Sequence, residues 1–401
     1  MENRMRLAER LSRLGTETAF EVLDRIARFP PERRANVVSF AIGEPDFNTP
    51  EHVKQAGIRA IQENYTHYGP SGGLWELREA IAEYAGRARG VDFGPENVTV
   101  LPSAKLVIAF AVLTCTNPGD EVIYPNPGYP IYESQVRVFG CRPVSAALTE
   151  ENGWNYDTDH LRRLLTDKTK MIVLNSPHNP TGGVLTRENL EAIAEMAVEH
   201  DLWVLSDEIY SNFVYDGQKF LSISSLPGMA ERTVVLDGFS KFFAMTGWRL
   251  GYALTNPEVA ERFATWATNT VSCTATFTQM AGLAALREDD SPSWAMVREF
   301  ERRRDLIHQL LNEVEGVTAL KPAGAFYIFA NVTEACRNLG LRDAVAFQDY
   351  LLDEVDVAVL ARTYFGARDP DETQEYVRLS YCVSREDVER GMARVKQAVE
   401  K

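Results

Sequence analysis

A lysine and an arginine lie eight positions apart in the stretch LDGFSKFFAMTGWRLGY, residues 236–252, which is otherwise mostly apolar, aromatic or glycine. A lysine among phenylalanines loses hydration. It is therefore either a surface residue with only its stem buried, or a group whose neutral amine is chemically required. The stretch by itself leaves both interpretations of Lys241 open.

Three more polar side chains follow apolar runs elsewhere in the chain. Asn179 comes after MIVLNSPH, Asp207 after LWVLS, and Tyr210 three residues later. Turn chemistry alone explains an asparagine in HNPTGG, and helix capping alone explains an aspartate after a strand. Together with Lys241 and Arg249, however, these residues supply an amide, a carboxylate, a phenol, an amine and a guanidinium.

This set of groups is the one that pyridoxal 5′-phosphate requires. The aldehyde of that cofactor forms a Schiff base with a lysine, and its pyridinium nitrogen needs an anionic partner. Its phenolate oxygen needs hydrogen-bond donors, and its phosphate needs a cation and backbone N–H groups. On this hypothesis Lys241 lies among aromatic residues because it is held as an imine.

The elements that must position these side chains can be predicted from hydrophobic patterns. Apolar, β-branched runs alternate with amphipathic helical stretches, which predicts an α/β fold with a mostly parallel sheet covered by helices. The predicted strands are NVTVL, DEVIYP, KMIVLNSP, LWVLSDE, RTVVLDG and GYALT. Thr186 is the predicted N-cap of a helix in TRENLEAIAEMAVEH. Ligands bind at the carboxyl ends of such strands, where the five side chains are expected to meet.

The alternation of strands and helices predicts a large domain at residues 46–290. A smaller α+β domain is expected at 291–401, with a long charged helix from Ser291 and strands in AFYIFANV and EYVRLSYC. Residues 1–45 are too few to complete a domain, so they are expected to form an arm or to join the smaller domain.

The composition excludes several classes of function. The chain has 401 residues, 45% of them hydrophobic, and a net charge of −15, which argues against a nucleic-acid-binding protein or an anionic membrane surface. No apolar run is long enough to span a bilayer. The five cysteines form no C-x-x-C pair, so a reducing cytoplasmic location and small-molecule substrates are expected.

From SFAIGEPDFNTP at Ser39 to YVRLSYC at Tyr376, the chain resembles the class I/II pyridoxal-phosphate-dependent aminotransferases of fold type I, the aspartate aminotransferase superfamily. The resemblance implies that Lys241 is the Schiff-base lysine and that Asp207 holds the pyridine nitrogen. It also implies that Asn179 and Tyr210 contact the phenolate oxygen and that Arg249 binds the phosphate. The expected catalytic residues are Lys241, Asp207 and Tyr210.

Further matches extend the site that the resemblance implies. Tyr129 in PNPGYPIY corresponds to the residue that stacks on the cofactor ring, and Tyr68 to a tyrosine that reaches the phosphate of the neighbouring subunit. A homodimer with composite active sites is therefore expected. Arg378 matches the arginine that binds the substrate α-carboxylate, with Asn179 beside it, and Gly43 the backbone that closes over the substrate.

Three departures from the family pattern bear on cofactor binding. The phosphate loop reads LPSAK, which lacks the usual glycines, although Ser103, Ala104 and Lys105 still offer N–H groups to an anion. Gly238 takes the place of a common phosphate-binding serine, and Ser240 only adjoins the lysine. His178 takes the place of a common asparagine and is expected to be a turn residue that faces solvent.

The resemblance implies transamination from an L-amino acid to a 2-oxo acid in two ping-pong half-reactions. A lyase or cyclase that performs elimination or replacement on the same carbanion remains an alternative, because the pocket decides the fate of that carbanion. Tyr65, Lys105 and residues 269–279 are candidates to line the side-chain pocket. No arginine can be assigned to a distal carboxylate, so the sequence does not support specificity for aspartate. No metal site is expected.

Overall fold

Strands β1 to β13 of the computed structural model, which describes residues 6–15 and 19–400, form three sheets. Their bounds are β1 Val38–Ser39, β2 Val98–Leu101, β3 Glu121–Asn126, β4 Arg142–Ala147, β5 Thr169–Asn175, β6 Trp203–Asp207, β7 Thr233–Gly238, β8 Gly251–Leu254, β9 Thr318–Ala319, β10 Tyr327–Asn331, β11 Val357–Ala358, β12 Leu360–Ala361 and β13 Tyr376–Ser380.

The central sheet has seven strands in the order β2-β8-β7-β6-β5-β3-β4. All neighbours run parallel except β8, which is antiparallel to both β2 and β7. This confirms the predicted, mostly parallel sheet, although β4 was not predicted. Asp207 pairs with Asn175 on one side and with Leu236 on the other, so the carboxyl ends of three adjacent strands are level.

Alternate residues of the central strands pack on opposite faces of the sheet. In β5, Ile172 and Leu174 belong to one apolar cluster, whereas Met171 and Val173 belong to another. Both faces are covered by helices, so both sets of side chains are apolar. This explains the unbroken run MIVL in the sequence.

The remaining strands form a four-stranded antiparallel sheet, β12-β13-β10-β9, and a parallel pair of β1 with β11. In that pair Val38 lies beside Val357, so the segment before residue 45 is joined to the C-terminal part of the chain. The domain limits given above stay a prediction.

Helices α1 to α14 cover the sheets within the described residues. Their bounds are α1 Ala19–Ala27, α2 Pro31–Asn36, α3 Glu51–Gln62, α4 Trp75–Arg89, α5 Lys105–Cys115, α6 Ile131–Val138, α7 Thr158–Leu164, α8 Arg187–Glu199, α9 Pro257–Thr270, α10 Thr276–Arg287, α11 Ser291–Asn312, α12 Thr333–Asn338, α13 Ala344–Val355 and α14 Arg385–Val399. Helix α8 begins after Thr186, whose hydroxyl accepts the N–H of Asn189 at 3.2 Å, as predicted. In the part of the chain that the structure describes, no helix is both long and apolar enough to cross a membrane.

Candidate active site

A cavity of about 300 Å³ opens at the carboxyl edge of the central sheet. The structure brings twelve of the thirteen site residues expected from the sequence to its walls: Gly43, Ser103, Ala104, Lys105, Tyr129, Asn179, Asp207, Tyr210, Ser240, Lys241, Arg249 and Arg378. They come from the end of β6, from the segments that follow β1, β2, β3, β5, β6 and β7, from the turn before β8, and from β13.

Lys241 follows β7 and extends its amine into the cavity. Its Nζ donates a hydrogen bond to the Gly43 carbonyl at 2.6 Å. The same atom lies 5.8 Å from the ring centre of Tyr210 and 5.7 Å from that of Phe326. The amine therefore combines an aromatic environment with access to the cavity, as a nucleophilic or proton-transferring amine needs.

Asp207 ends β6 and is only 6% exposed. Its Oδ2 accepts the Tyr132 hydroxyl at 2.6 Å and its Oδ1 accepts the N–H of Ile209 at 3.3 Å. The pKa of the Asp207 carboxyl is raised to about 7, chiefly by burial and to a smaller extent by the charges of Asp237 and Glu208, while the two hydrogen bonds act in the opposite direction. Because both of these donors are uncharged, a cationic group that enters the cavity would stabilise the carboxylate.

A buried guanidinium lies behind this carboxylate. Arg89 donates from Nε to Glu208 and from Nη2 to Asp237, each at 2.7 Å. The hydroxyl of Tyr252 also donates to Asp237, at 3.1 Å. One cation is thus shared by two buried carboxylates, which leaves negative charge on the side of the sheet next to Asp207. No sequence motif indicated this role for Arg89.

Tyr210 and Tyr327 form a buried pair in the cavity. Their hydroxyl oxygens are 2.7 Å apart, and burial raises the pKa of Tyr210 well above its ordinary value. Tyr327 is the first residue of β10 and was not identified from the sequence. Its position at the start of the predicted strand AFYIFANV was the available signal.

An anion-binding arrangement lies where β2 leads into α5. Arg249 donates to the Ser103 hydroxyl at 2.8 Å and to the Thr246 carbonyl at 2.6 Å. Ser103 Oγ also accepts the N–H of Lys105 at 3.1 Å, at the N-terminus of the helix. Arg249 has a positive φ of 55°, which a non-glycine residue adopts at a cost in strain. A guanidinium, a hydroxyl and a helix N-terminus together suit a phosphate group.

Tight packing accounts for the glycine at position 238. A Cβ at Gly238 would lie 2.9 Å from the Cα of Gly251 and 3.1 Å from the Leu250 carbonyl oxygen. A Cβ at Gly251 would in turn lie 2.2 Å from the backbone nitrogen of Ala104. The loop that follows β2 thus rests directly on paired glycines, and a serine at position 238 would require the backbone to move.

A second cationic arrangement lies on β13. Arg378 donates from Nη1 to the Asn179 side-chain oxygen at 2.9 Å and from Nη2 to the Ala41 carbonyl. Its guanidinium carbon is 4.6 Å from the ring centre of Tyr327. A Cβ at Gly43 would lie 1.8 Å from the Tyr327 hydroxyl oxygen, so the close approach that requires glycine here is to this tyrosine.

Tyr129 presents its ring to the cavity after β3. Its ring packs edge to face against that of Tyr132, with centres 5.7 Å apart and planes at 80°. The Nζ of Lys105 lies 5.6 Å from the Tyr129 ring centre. Tyr132 therefore contacts both Tyr129 and the Asp207 carboxylate, a role that the motif PIYESQ did not reveal.

The expectation for His178 is wrong. The imidazole is 2% exposed, its Nδ1 is 2.8 Å from the Thr181 hydroxyl, and burial lowers its pKa to about 3. The turn that contains His178 is covered by the segment of Ala323 and Gly324, whose N–H groups donate to the Gly182 carbonyl at 3.0 and 2.9 Å. His178 is not among the residues that line the cavity.

Tyr68 lies away from the cavity of its own chain and is 89% exposed. It lines a surface depression together with Tyr65, Cys273 and Phe277.

Among the candidates for the side-chain pocket, Lys105 lines the cavity, whereas Tyr65 does not. Within the described residues, no group of three or more histidine, cysteine, aspartate or glutamate side chains is arranged to hold a metal ion.

Comparison with known proteins places this geometry in context. Residues 35–395 match the family described as aminotransferase class I and II. The chain is 41% identical to aromatic-amino-acid aminotransferase 2 of Thermococcus litoralis, over 90% of this chain and 92% of that protein. It is also 41% identical to aspartate aminotransferase of Pyrococcus abyssi, over 91% and 92%. The solved structure of Thermus thermophilus aspartate aminotransferase with maleate superimposes with a TM-score of 0.90 at 35% identity, over 98% of this chain and 100% of that one.

Proposed function

Because this chain belongs to the class I and II aminotransferases, we propose that pyridoxal 5′-phosphate is its cofactor and that Lys241 holds it covalently. The enzyme moves the amino group of an amino acid to a 2-oxo acid, as the names of its relatives indicate. These relatives are aminotransferases, which favours this reaction over the lyase or cyclase alternative.

The observation that carries the proposal is the arrangement of charges around the cavity. A buried carboxylate, Asp207, accepts hydrogen bonds from uncharged donors, so a protonated ring nitrogen fits beside it. Arg249 and Ser103 meet at the start of a helix and fit a phosphate. The Lys241 amine lines the same cavity, where an aldehyde can reach it. The residues present therefore fit the cofactor.

The expected roles follow from these positions. Arg249, Ser103 and Ser240, with the N–H groups of Ala104 and Lys105, would hold the phosphate. The Tyr129 ring would cover one face of the cofactor ring, and Asn179 and Tyr210 would hydrogen-bond to its phenolic oxygen. When bound, the cofactor supplies an aldehyde for covalent attachment and a ring that accepts the electrons left by a departing Cα proton.

The chain itself binds the substrate and moves the proton. Arg378, which donates to Asn179, would bind the α-carboxylate through a bidentate pair, and the Gly43 backbone would close over the substrate. Once the substrate amine has displaced it, Lys241 Nζ would take the Cα proton and deliver it to the carbon of the cofactor's aldehyde group, and in the second half-reaction it would move a proton in the opposite direction. Asp207 would keep the ring nitrogen protonated. Arg378→Ala should therefore weaken the binding of every amino-acid substrate to a similar extent. KM values for several amino donors would measure this.

Borohydride reduction followed by peptide mass spectrometry tests the covalent attachment. We expect the reduced cofactor on the peptide that contains Lys241, and we expect Lys241→Ala to lose both the label and nearly all turnover. Lys105→Ala is the matched control, since this second lysine also lines the cavity, and it should keep the label. A label that persists in Lys241→Ala would refute the assignment.

We also propose a cytoplasmic homodimer with composite active sites. A further depression, lined by Pro102, Thr246, Arg249 and Phe277 among others, shares Arg249 with the cavity and Phe277 with the Tyr68 depression. Tyr68 and the mouth of the cavity therefore belong to one continuous surface. In a two-fold dimer this surface would pack against the same surface of the other subunit. The five cysteines, all free, suit a reducing compartment.

Subunit mixing tests the composite site. Lys241→Ala and Tyr68→Ala chains, unfolded and refolded together, should form mixed dimers in which one site carries both defects and the other is intact. Activity should then rise to about a quarter of that of the parent, because half of the dimers are mixed and each has one good site. If Tyr68 acts only within its own chain, no activity returns, although tagged subunits demonstrably exchange.

A further inference from the structure

Tyr327 contacts residues on two sides of the cavity. It is 2% exposed, and its hydroxyl oxygen is 2.7 Å from that of Tyr210, with the two rings edge to face at 87°. The guanidinium of Arg378 lies over its ring at 4.6 Å. The hydroxyl oxygen also occupies the space that a Cβ of residue 43 would need.

The hydrogen bond between the two hydroxyls can run in either direction, and its direction decides whether Tyr210 can donate to the cavity. A phenol has one proton to donate, and burial holds Tyr210 in its protonated form, with its pKa raised further by the contact with Tyr327. If Tyr210 donates to Tyr327, its proton is no longer available to the cavity. If Tyr327 donates instead, the proton of Tyr210 can point into the cavity. A Tyr210 that hydrogen-bonds to the cofactor oxygen therefore requires Tyr327 to be the donor.

The ring of Tyr327 acts on a different neighbour. A guanidinium over an aromatic face is attracted to it, and within a buried site the attraction also fixes the plane of the guanidinium. Arg378 has two rings against its guanidinium, that of Tyr327 at 4.6 Å and that of Phe365 at 4.9 Å, and it donates to Asn179 and Ala41. Tyr327 therefore contributes to the orientation of Arg378 through its ring and not through its hydroxyl.

We propose that Tyr327 is a positioning residue with two separable functions: its hydroxyl directs the proton of Tyr210 into the cavity, and its ring orients Arg378 for the substrate carboxylate. This inference rests on the proposed function, because it takes the roles of Tyr210 and Arg378 from it. The two functions predict different effects for two substitutions at one position.

The hydroxyl function is tested by titrating the visible absorbance of the holoenzyme with pH. A hydrogen-bond donor to the phenolic oxygen of the cofactor stabilises the form in which the Schiff base with Lys241 has lost its proton. A weaker donor therefore raises the pH midpoint of this titration. In Tyr327→Phe, Tyr210 accepts no hydrogen bond from residue 327 and becomes a weaker donor, so we expect the midpoint to rise by about 0.1 to 0.3 unit. Tyr210→Phe removes the donor itself and should raise the midpoint by about half a unit to one unit, the value of one hydrogen bond. Tyr381→Phe is the matched control. It removes another fully buried hydroxyl, one that donates to the Ala325 carbonyl at 3.2 Å, and should leave the midpoint unchanged.

The ring function is tested by KM for L-aspartate and L-phenylalanine, whichever the parent accepts. Tyr327→Phe keeps the ring and should leave KM within about twofold, whereas Tyr327→Leu should raise it by about three- to thirtyfold. The Phe variant retains the shape of the core, so it keeps the test valid if the Leu variant fails to fold. Equal KM changes in the two variants would overturn the ring function.

The outcomes separate this inference from the function on which it rests. A midpoint that moves in Tyr210→Phe but not in Tyr327→Phe would overturn the hydroxyl function alone. A midpoint that moves in neither variant would contradict the assigned role of Tyr210, and hence the proposed function itself. A shift in the Tyr381→Phe control would mean that any lost buried hydroxyl disturbs the site, and would also overturn the inference.

Discussion

Substitution of Asp207 by asparagine should change how the stability of the cofactor-free enzyme depends on pH. In the fold, the pKa of this carboxyl is raised from 3.8 to about 7, chiefly by burial. A raised pKa means that the folded state holds the proton more tightly than the unfolded state, so its contribution to stability is lost as pH rises from 3.8 through about 7. Between about pH 5 and pH 8 this loss amounts to about 2 to 3 kcal/mol.

The assay is urea unfolding of the cofactor-free parent and Asp207→Asn at those two pH values and at one protein concentration, since assembly also affects stability. The amide does not ionise and still accepts the Tyr132 hydrogen bond. The free energy of unfolding of the variant, relative to that of the parent, should therefore be about 2 to 3 kcal/mol higher at the higher pH than at the lower pH. If the free energies of unfolding of parent and variant differed by the same amount at both pH values, the argument that burial raises the pKa of Asp207 would be refuted.

Two controls narrow the interpretation of this experiment. Asp157 caps α7, and the N–H of His160 lowers its pKa, so its carboxyl is ionised at both pH values in both states. Asp157→Asn should therefore show no change between them. With the cofactor bound, a cationic ring nitrogen beside Asp207 would lower the pKa of that carboxyl. The loss of stability that burial of Asp207 causes between the two pH values should then disappear from the parent holoenzyme.

Other substitutions test the packing of the cavity. In Gly43→Ala the new methyl would lie 1.8 Å from the Tyr327 hydroxyl oxygen, so we expect a loss of about 1–3 kcal/mol in thermal unfolding; an unchanged midpoint would contradict it. Gly238→Ser should weaken cofactor binding in a fluorescence titration, because its Cβ would lie 2.9 Å from the paired strand; tighter binding would count against this. His178→Asn should leave the pH profile of kcat unchanged above pH 5, because burial lowers the pKa of the imidazole to about 3.

The sheet could be predicted because its strands are buried on both faces. Such strands contain nearly continuous apolar runs, and six of the seven have this form. Strand β4 does not: RPVSAA contains a single β-branched residue, and much of the strand is only partly buried. Residues that end the predicted strands, such as Asp207, could be assigned to the cavity for the same reason, since parallel strands bring their carboxyl ends to one edge.

Tyr132 and Tyr327 could not be predicted in this way. The role of Tyr132 depends on how α6 packs against the end of β6, and that of Tyr327 on how the small sheet meets the central one. Both are contacts between segments distant in sequence, which leave no local pattern. His178 was misjudged for a similar reason, since its turn is polar in composition and is covered by residues of the loop between β9 and β10.

The pairing of β1 with β11 has a consequence for synthesis on the ribosome. The N–H of Phe40 donates to the Ala358 carbonyl, and its own carbonyl accepts the N–H of Ser380, each at 2.8 Å. The loop that carries Gly43 is thus anchored by residues that the ribosome makes much later than the loop itself. A nascent chain can complete the central sheet as soon as Leu254 has emerged, long before that anchor exists. Chains in which β11 and β13 have not yet been made should therefore be partly folded yet unable to consume amino acids, and activity should appear only after both strands have emerged.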